Sequence, residues 1–89
     1  MLKTKVTIIN KLGLHARAAS KFVSTAAAFD STIRIGRNAE LVDGKSIMSV
    51  MMLAACKGTE LDLEVNGNDE QQALDAMTAL INNRFDEGE

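Results

Sequence analysis

Eighty-nine residues, 46% of them apolar, with a net charge of −2, one Cys and one His, close a single modest core, so residues 1–89 read as one domain and a large multidomain enzyme is excluded. One cysteine permits no internal disulfide, and His15 with Cys56 alone cannot supply a structural zinc site, so no metal is expected. The longest mostly apolar stretch, 47–56, is about half a bilayer span, and Met1–Lys5 lacks the apolar core of a signal peptide; a soluble, cytoplasmic protein without membrane insertion is expected.

The small net charge conceals two unlike halves. Residues 1–45 hold eight bases and three acids, residues 46–89 two bases and nine acids. Five of the bases precede the first acid, Asp30, so the neighbourhood of His15 is positive and suits an anionic ligand or an acidic protein partner. Nucleic acid is not expected, because Phe22, Phe29 and Phe85 are the only aromatics on which bases could stack.

In chain order, Leu2 to Ile8 alternates apolar with polar residues and predicts a first strand with one buried face. Gly13 interrupts the pattern. From Ala16 to Phe29 the residues Ala18, Ala19, Phe22, Val23, Ala26 and Phe29 recur at helical spacing, leaving Arg17, Ser20, Lys21 and Ser24 on the opposite, solvent side. Thr32–Ile35 alternates again, Gly36-Arg37-Asn38 turns the chain, and Glu40–Val42 returns as a hairpin. Ser46 is placed to cap a second helix from Ile47 to about Ala55, terminated before Gly58.

Glu60–Val65 alternates strictly and predicts a strand with one acidic, wet face. Asn66-Gly67-Asn68 turns, Asn68 with Gln71 has capping-box spacing, and Ala73, Leu74, Met77, Leu80, Ile81 and Phe85 form the stripe of a third helix running to about Arg84. The polar end, 86–89, is expected to fray. The order β-α-β-β-α-β-α with one-sided strands predicts an α+β open-faced sandwich, a four-stranded antiparallel sheet carrying three helices on one face. The same order also fits a ferredoxin-like fold, and pattern does not separate the two.

No P-loop, dinucleotide fingerprint, zinc-protease or serine-hydrolase motif is present, and no cofactor is expected. What remains is Gly13-Leu14-His15-Ala16-Arg17, a glycine loop delivering the one imidazole to the first turn of a helix. Neutral imidazole is a good nucleophile near pH 7, and a helix N-terminus disfavours its protonation. The free N–H groups of Ala16 and Arg17 and the Arg17 guanidinium suit a phosphate on that ring. A lone surface or capping histidine is the plain alternative, but a carrier needs only one nucleophile, and the hydroxyls and bases of Ser20, Lys21 and Ser24 share its face.

The second helix is apolar all round: Ile47, Val50, Leu53 and Ala54 on one side, Met48, Met51, Met52 and Ala55 on the other. A helix on a sheet buries one face, so an exposed, adaptable Met face is expected to dock partners through Ile47, Met48 and Met51 together with the Ser20, Lys21 and Ser24 face. Ser46 has two readings: a helix cap, or a regulatory site where a phosphate would set negative charge beside that docking face. Cys56 reads as a small packed residue.

The segments Lys11-Leu12-Gly13-Leu14-His15-Ala16-Arg17 and Lys45-Ser46-Ile47-Met48 resemble the active-site motif and the regulatory-serine segment of HPr, the histidine-containing phosphocarrier family of the phosphoenolpyruvate-dependent phosphotransferase system, and the resemblance spans nearly the whole chain. It implies the open-faced sandwich, a phosphoryl group accepted on Nδ1 of His15 from enzyme I and passed to an enzyme IIA, Arg17 as the phosphate-stabilising arginine, and Ser46 as the target of an HPr kinase/phosphatase in those hosts that have one. It also implies a carrier that is itself phosphorylated rather than an enzyme. One departure is Ala18, where the family usually has proline; another cue, Asn83–Glu87, is similar to nitrogen-branch relatives. A rival of a different class is a regulatory module that binds proteins through the Met face without phosphotransfer; a third is a small ferredoxin-like enzyme or ligand-binding domain.

Overall fold

The computed structural model describes residues 1–38 and 40–88. It contains β1 (Leu2–Thr7), α1 (Ala16–Ala27), β2 (Thr32–Arg37), β3 (Glu40–Asp43), α2 (Ile47–Met52), β4 (Glu60–Asn66) and α3 (Glu70–Asn82), followed by a tight turn at Arg84–Asp86. The four strands form one antiparallel sheet in the order β1-β4-β2-β3. Register follows the side-chain period of two. Val6 sits opposite Leu61, and Ile33 and Ile35 sit opposite Val65 and Leu63, so the apolar residues share one face.

On the other face Lys5 lies opposite Asp62 with their charges 3.0 Å apart, and Lys3 and Arg34 flank Glu64 at 3.7 and 3.9 Å. The basic ends of these pairs are exposed, so the pairs add little stability, but they leave that face self-neutralised and without an apolar stripe for a second layer. The sandwich is therefore open, as its alternation predicts.

The helices cover the apolar face. Phe22 of α1, Val50 of α2 and Ala73, Met77 and Ile81 of α3 are fully buried with Ile33, Ile35, Leu61, Leu63 and Val65 of the sheet. Each large side chain contributes about 1.5–3 kcal/mol on leaving water. No helix among the described residues is long and apolar enough to cross a membrane.

Several elements depart from the sequence expectation. The first helix ends at Ala27 rather than Phe29, and Gly36 and Arg37 belong to β2, with the reversal starting at Asn38 (φ 50°). α2 stops at Met52, not near Ala55, because Arg37 Nη1 donates to the Leu53 carbonyl at 2.7 Å and Ala54 enters the left-handed region at φ 48°. Gly58 consequently serves the turn into β4 instead of ending the helix. Cys56 lies outside α2 and is exposed, not packed.

The Asn68/Gln71 capping box does not form. Asp69 is the N-cap of α3, and its carboxylate turns to accept from the Asp30 N–H at 2.9 Å and from the N–H and hydroxyl of Ser31, while Glu70 Oε1 accepts from Gly67 N–H at 3.2 Å. A tertiary partner outcompetes the local one. α3 itself ends at Asn82, so Phe85 is not part of its stripe. Arg84, Phe85 and Asp86 follow in the left-handed region (φ 55°, 53° and 62°), and Phe85 is fully buried. The segment expected to fray is thus anchored as far as it is described; Glu89 lies outside the described residues.

Candidate functional site

The loop before α1 is set by its own backbone. Gly13 adopts φ 69°, which a side chain resists, and its N–H reaches the Asn10 carbonyl at 3.2 Å. Leu14 buries its side chain and donates its N–H to the Ala55 carbonyl at 2.8 Å; Ile8 exchanges bonds with Thr59 (2.9 Å) and Gly58 (2.7 Å) on the same neighbouring segment. The segment after α2 therefore clamps the loop from one side, and the chain emerges at His15 already pointing into α1.

His15 is the N-cap residue of α1 (φ −74°, ψ 176°), its carbonyl accepting the Ala19 N–H at 2.8 Å. Its side chain makes no capping bond, so the imidazole is not consumed in holding the helix. The first-turn N–H groups of Ala16 and Arg17 lack intrahelical acceptors by the geometry of any α-helix. α1 starts without the preset φ of a proline at Ala18, which is instead fully buried in the core.

His15 and Arg17 open into one shallow cleft of about 280 Å³, lined also by Lys11, Leu12, Asp86 and Glu87. The sequence brings the first four together; only the fold adds the last two. His15 Nε2 hydrogen-bonds Glu87 Oε2, and Glu87 Oε1 accepts from Asn10 Nδ2 at 2.9 Å. The same Asn10 nitrogen reaches the Gly13 carbonyl at 2.8 Å. Burial pushes the Glu87 carboxyl up, but hydrogen bonds from Asn10 and His15 and the nearby charges of His15 and Arg17 outweigh it and hold the group below the ordinary carboxylate value. Glu87 is therefore ionised at neutral pH.

Neither Asn10 nor Glu87 is singled out by the sequence. The one available signal is Phe85, an aromatic among polar residues, which reads equally well as the end of a helix stripe. A larger depression on the open sheet face, about 390 Å³, is lined by Lys3, Lys5, Asp62 and Glu64, whose charges are paired with one another, and contains neither imidazole nor thiol. Among the described residues no group of three His, Cys, Asp or Glu side chains could hold a metal.

The remaining expected residues fall as follows. Arg17, Ser20 and Ser24 are exposed on α1, and Lys21 is half-buried with its ammonium 3.3 Å from Asp86. Ser46 caps α2, its Oγ accepting the Ser49 N–H at a long 3.4 Å. α2 has only six residues, so it brings little helix dipole to a phosphate on Ser46. Of its apolar side chains Val50 alone is buried; Ile47, Met48, Met51 and Met52 are exposed, Met48 by 66% and Met52 by 80%. Leu12, beside His15, is exposed by 67% and adds an apolar contact that the sequence reading does not include.

An open-faced sandwich with this connectivity is the fold of the HPr phosphocarriers. The structure superimposes on HPr-C-His from Thermoanaerobacter tengcongensis with a TM-score of 0.93 at 40% identity, covering 98% of each chain, and on HPr from Bacillus anthracis with a TM-score of 0.85 at 35% identity, covering 90% of this chain and 95% of that one. The ferredoxin-like alternative is set aside by these matches.

The family model described as the PTS HPr component phosphorylation site matches residues 2–83. Proteins named phosphocarrier protein HPr are similar throughout: that of Pseudomonas aeruginosa is 64% identical over 86 residues, 96% of each chain, and that of Neisseria meningitidis 56% identical over 89 residues, the whole of both. The chain belongs to the HPr family, the phosphocarrier proteins of the phosphotransferase system, which are carriers rather than catalysts.

Proposed function

We propose that this protein accepts a phosphoryl group on Nδ1 of His15 from phosphorylated enzyme I and passes it to an enzyme IIA. The observation that carries the reading is the placement of His15: it caps α1 by backbone alone, leaving its ring free of capping, and shares a cleft with Arg17. The transferred dianion would meet the first-turn amides of Ala16 and Arg17 and the Arg17 guanidinium, a geometry and charge suited to it. The protein is the substrate of both transfers, and the chemistry needs no cofactor from this chain.

The partners dock over the apolar surface of Ile47, Met48 and Met51 and the neighbouring Ser20, Lys21 and Ser24 face of α1. Flexible thioethers accommodate more than one partner, as a protein that must meet a donor and an acceptor requires. Phosphorylation of Ser46 by an HPr kinase/phosphatase would place about two negative charges at the edge of this surface and repel an acidic partner while the fold stays intact. The exchange takes place in the cytoplasm.

Intact mass after incubation with phosphoenolpyruvate and enzyme I tests the reading. One acid-labile phosphate on the wild type and none on His15→Ala is the expected result. No phosphate on the wild type from its own host's enzyme I would overturn it and leave the Met surface as a binding module.

A further inference from the structure

We propose that Glu87 is a positioning residue for phosphoryl acceptance, holding the His15 ring so that the lone pair lies on Nδ1; the inference deepens the reading of His15 as acceptor and rests on it. A carboxylate only accepts hydrogen bonds, so the Nε2 that faces Glu87 Oε2 must donate. In a neutral imidazole the proton on one nitrogen leaves the other unprotonated, and the hydrogen bond made by the first decides which. Glu87 therefore selects the tautomer in which Nδ1 is the nucleophile and fixes the ring about its χ angles.

The carboxylate is itself held. Asn10 is fully buried, and its Nδ2 ties Glu87 Oε1 to the Gly13 carbonyl, joining the tail to the loop that carries His15. Its Oδ1 has no partner among the described residues, a cost to folding that a buried apolar residue would not carry. The tail reaches this point through three successive left-handed residues other than glycine, a conformation that persists only when its surroundings over-determine it. Here Phe85 is locked in the core, Asp86 is held by Lys21 at 3.3 Å and by Asn83 Nδ2, and Glu87 is held by Asn10. Residues 84–87 form a strap from the core, past Lys21 of α1, onto the ring.

In the transfer the Nδ1 lone pair forms the N–P bond while the bond from phosphorus to the donor breaks and its electron pair leaves with the donor. Nε2 keeps its proton, the ring becomes cationic, and the Glu87 carboxylate faces that charge. On transfer to the acceptor the N–P electron pair returns to Nδ1, with the same proton still on Nε2.

The test uses the full chain, wild type, Glu87→Ala and Glu87→Asp, with two readouts. In ¹H–¹⁵N spectra near pH 8 the wild type should show a protected Nε2–H signal and an unprotonated Nδ1; both variants should lose the protected signal, because alanine removes the acceptor and aspartate is one methylene too short to meet both donors. With enzyme I and phosphoenolpyruvate, kcat for phosphoryl acceptance should fall on the order of tenfold to a hundredfold in both variants with KM nearly unchanged. A wild-type kcat in either variant, or a protected Nε2–H in Glu87→Ala, would overturn the role of Glu87. Failure of the wild type itself to take phosphate would overturn the acceptor reading, and the nitrogen spectra would still report separately whether Glu87 holds the ring.

Discussion

The α-carbon of Gly13 faces the carbonyl oxygen of Ala55 so closely that a Cβ on it would stand 2.4 Å from that oxygen. The contact sits one residue before the Leu14-to-Ala55 hydrogen bond, so loop and clamp are matched at backbone level. A methyl group here meets both a positive φ and backbone that cannot yield as a side chain would. Gly13→Ala should lower stability by about 2 kcal/mol or more in urea unfolding and slow phosphoryl acceptance by His15, because the loop must shift to admit it.

Ala54 presents the opposite case. It holds φ 48° with a side chain that disfavours it, at a cost of about 1–2 kcal/mol. Glycine relieves the strain but adds freedom to the unfolded chain. Ala54→Gly should therefore stabilise the fold by up to about 1 kcal/mol, read as a higher urea midpoint at unchanged m-value, with phosphoryl acceptance intact.

Asp69 couples stability to acid. The Ser31 hydroxyl first, then the Asp30 amide, hold its carboxyl below the ordinary 3.8; burial opposes them, and the Ser31 amide adds a smaller lowering contribution. A group lowered in the folded state favours folding above the unfolded value and loses that contribution as pH falls through 3.8 towards the folded value. Thermal melts of the wild type should lose stability on acidification below about pH 4 more steeply than those of Asp69→Asn, which should be less stable at pH 7 and flatter below it.

Met48, exposed by 66%, tests the docking surface without touching the core. Met48→Glu should leave stability within about 0.5 kcal/mol. If the surface receives an acidic partner, KM for enzyme I should rise roughly tenfold with the nitrogen spectrum of His15 unchanged. Equal KM for variant and wild type would place the docking elsewhere.

Ser46 separates its two roles by substitution. Its cap bond is long, so Ser46→Ala should cost about 0.5–1 kcal/mol, and Ser46→Asp, an equally good cap, should cost less. Aspartate brings a negative charge to the edge of the docking surface and alanine does not. Slower phosphoryl transfer from Ser46→Asp than from Ser46→Ala is the outcome expected of a charge-operated site.

The sequence by itself determined the strands, the sandwich's wet face and the approach to His15, because each is a short-range matter. Alternation in Glu60–Val65 decides which side chains meet water wherever the strand is paired, and Gly13 next to an apolar helix onset delivers His15 to the first turn of α1. Helix ends were less legible. The carboxylate of Asp69, the N-cap residue of α3, turned to Ser31, 38 residues away, and α2 stopped where Arg37 reached its last turn; both outcomes depend on partners that no local window contains.

The tertiary structure alone decided the surroundings of the ring. Glu87 lies 72 residues from His15, in a stretch whose polar composition predicts fraying, and it arrives only because burial of Phe85 outweighs the left-handed backbone that carries it. Local propensity is set by neighbours in the chain, whereas the position of that carboxylate is set by where the core ends.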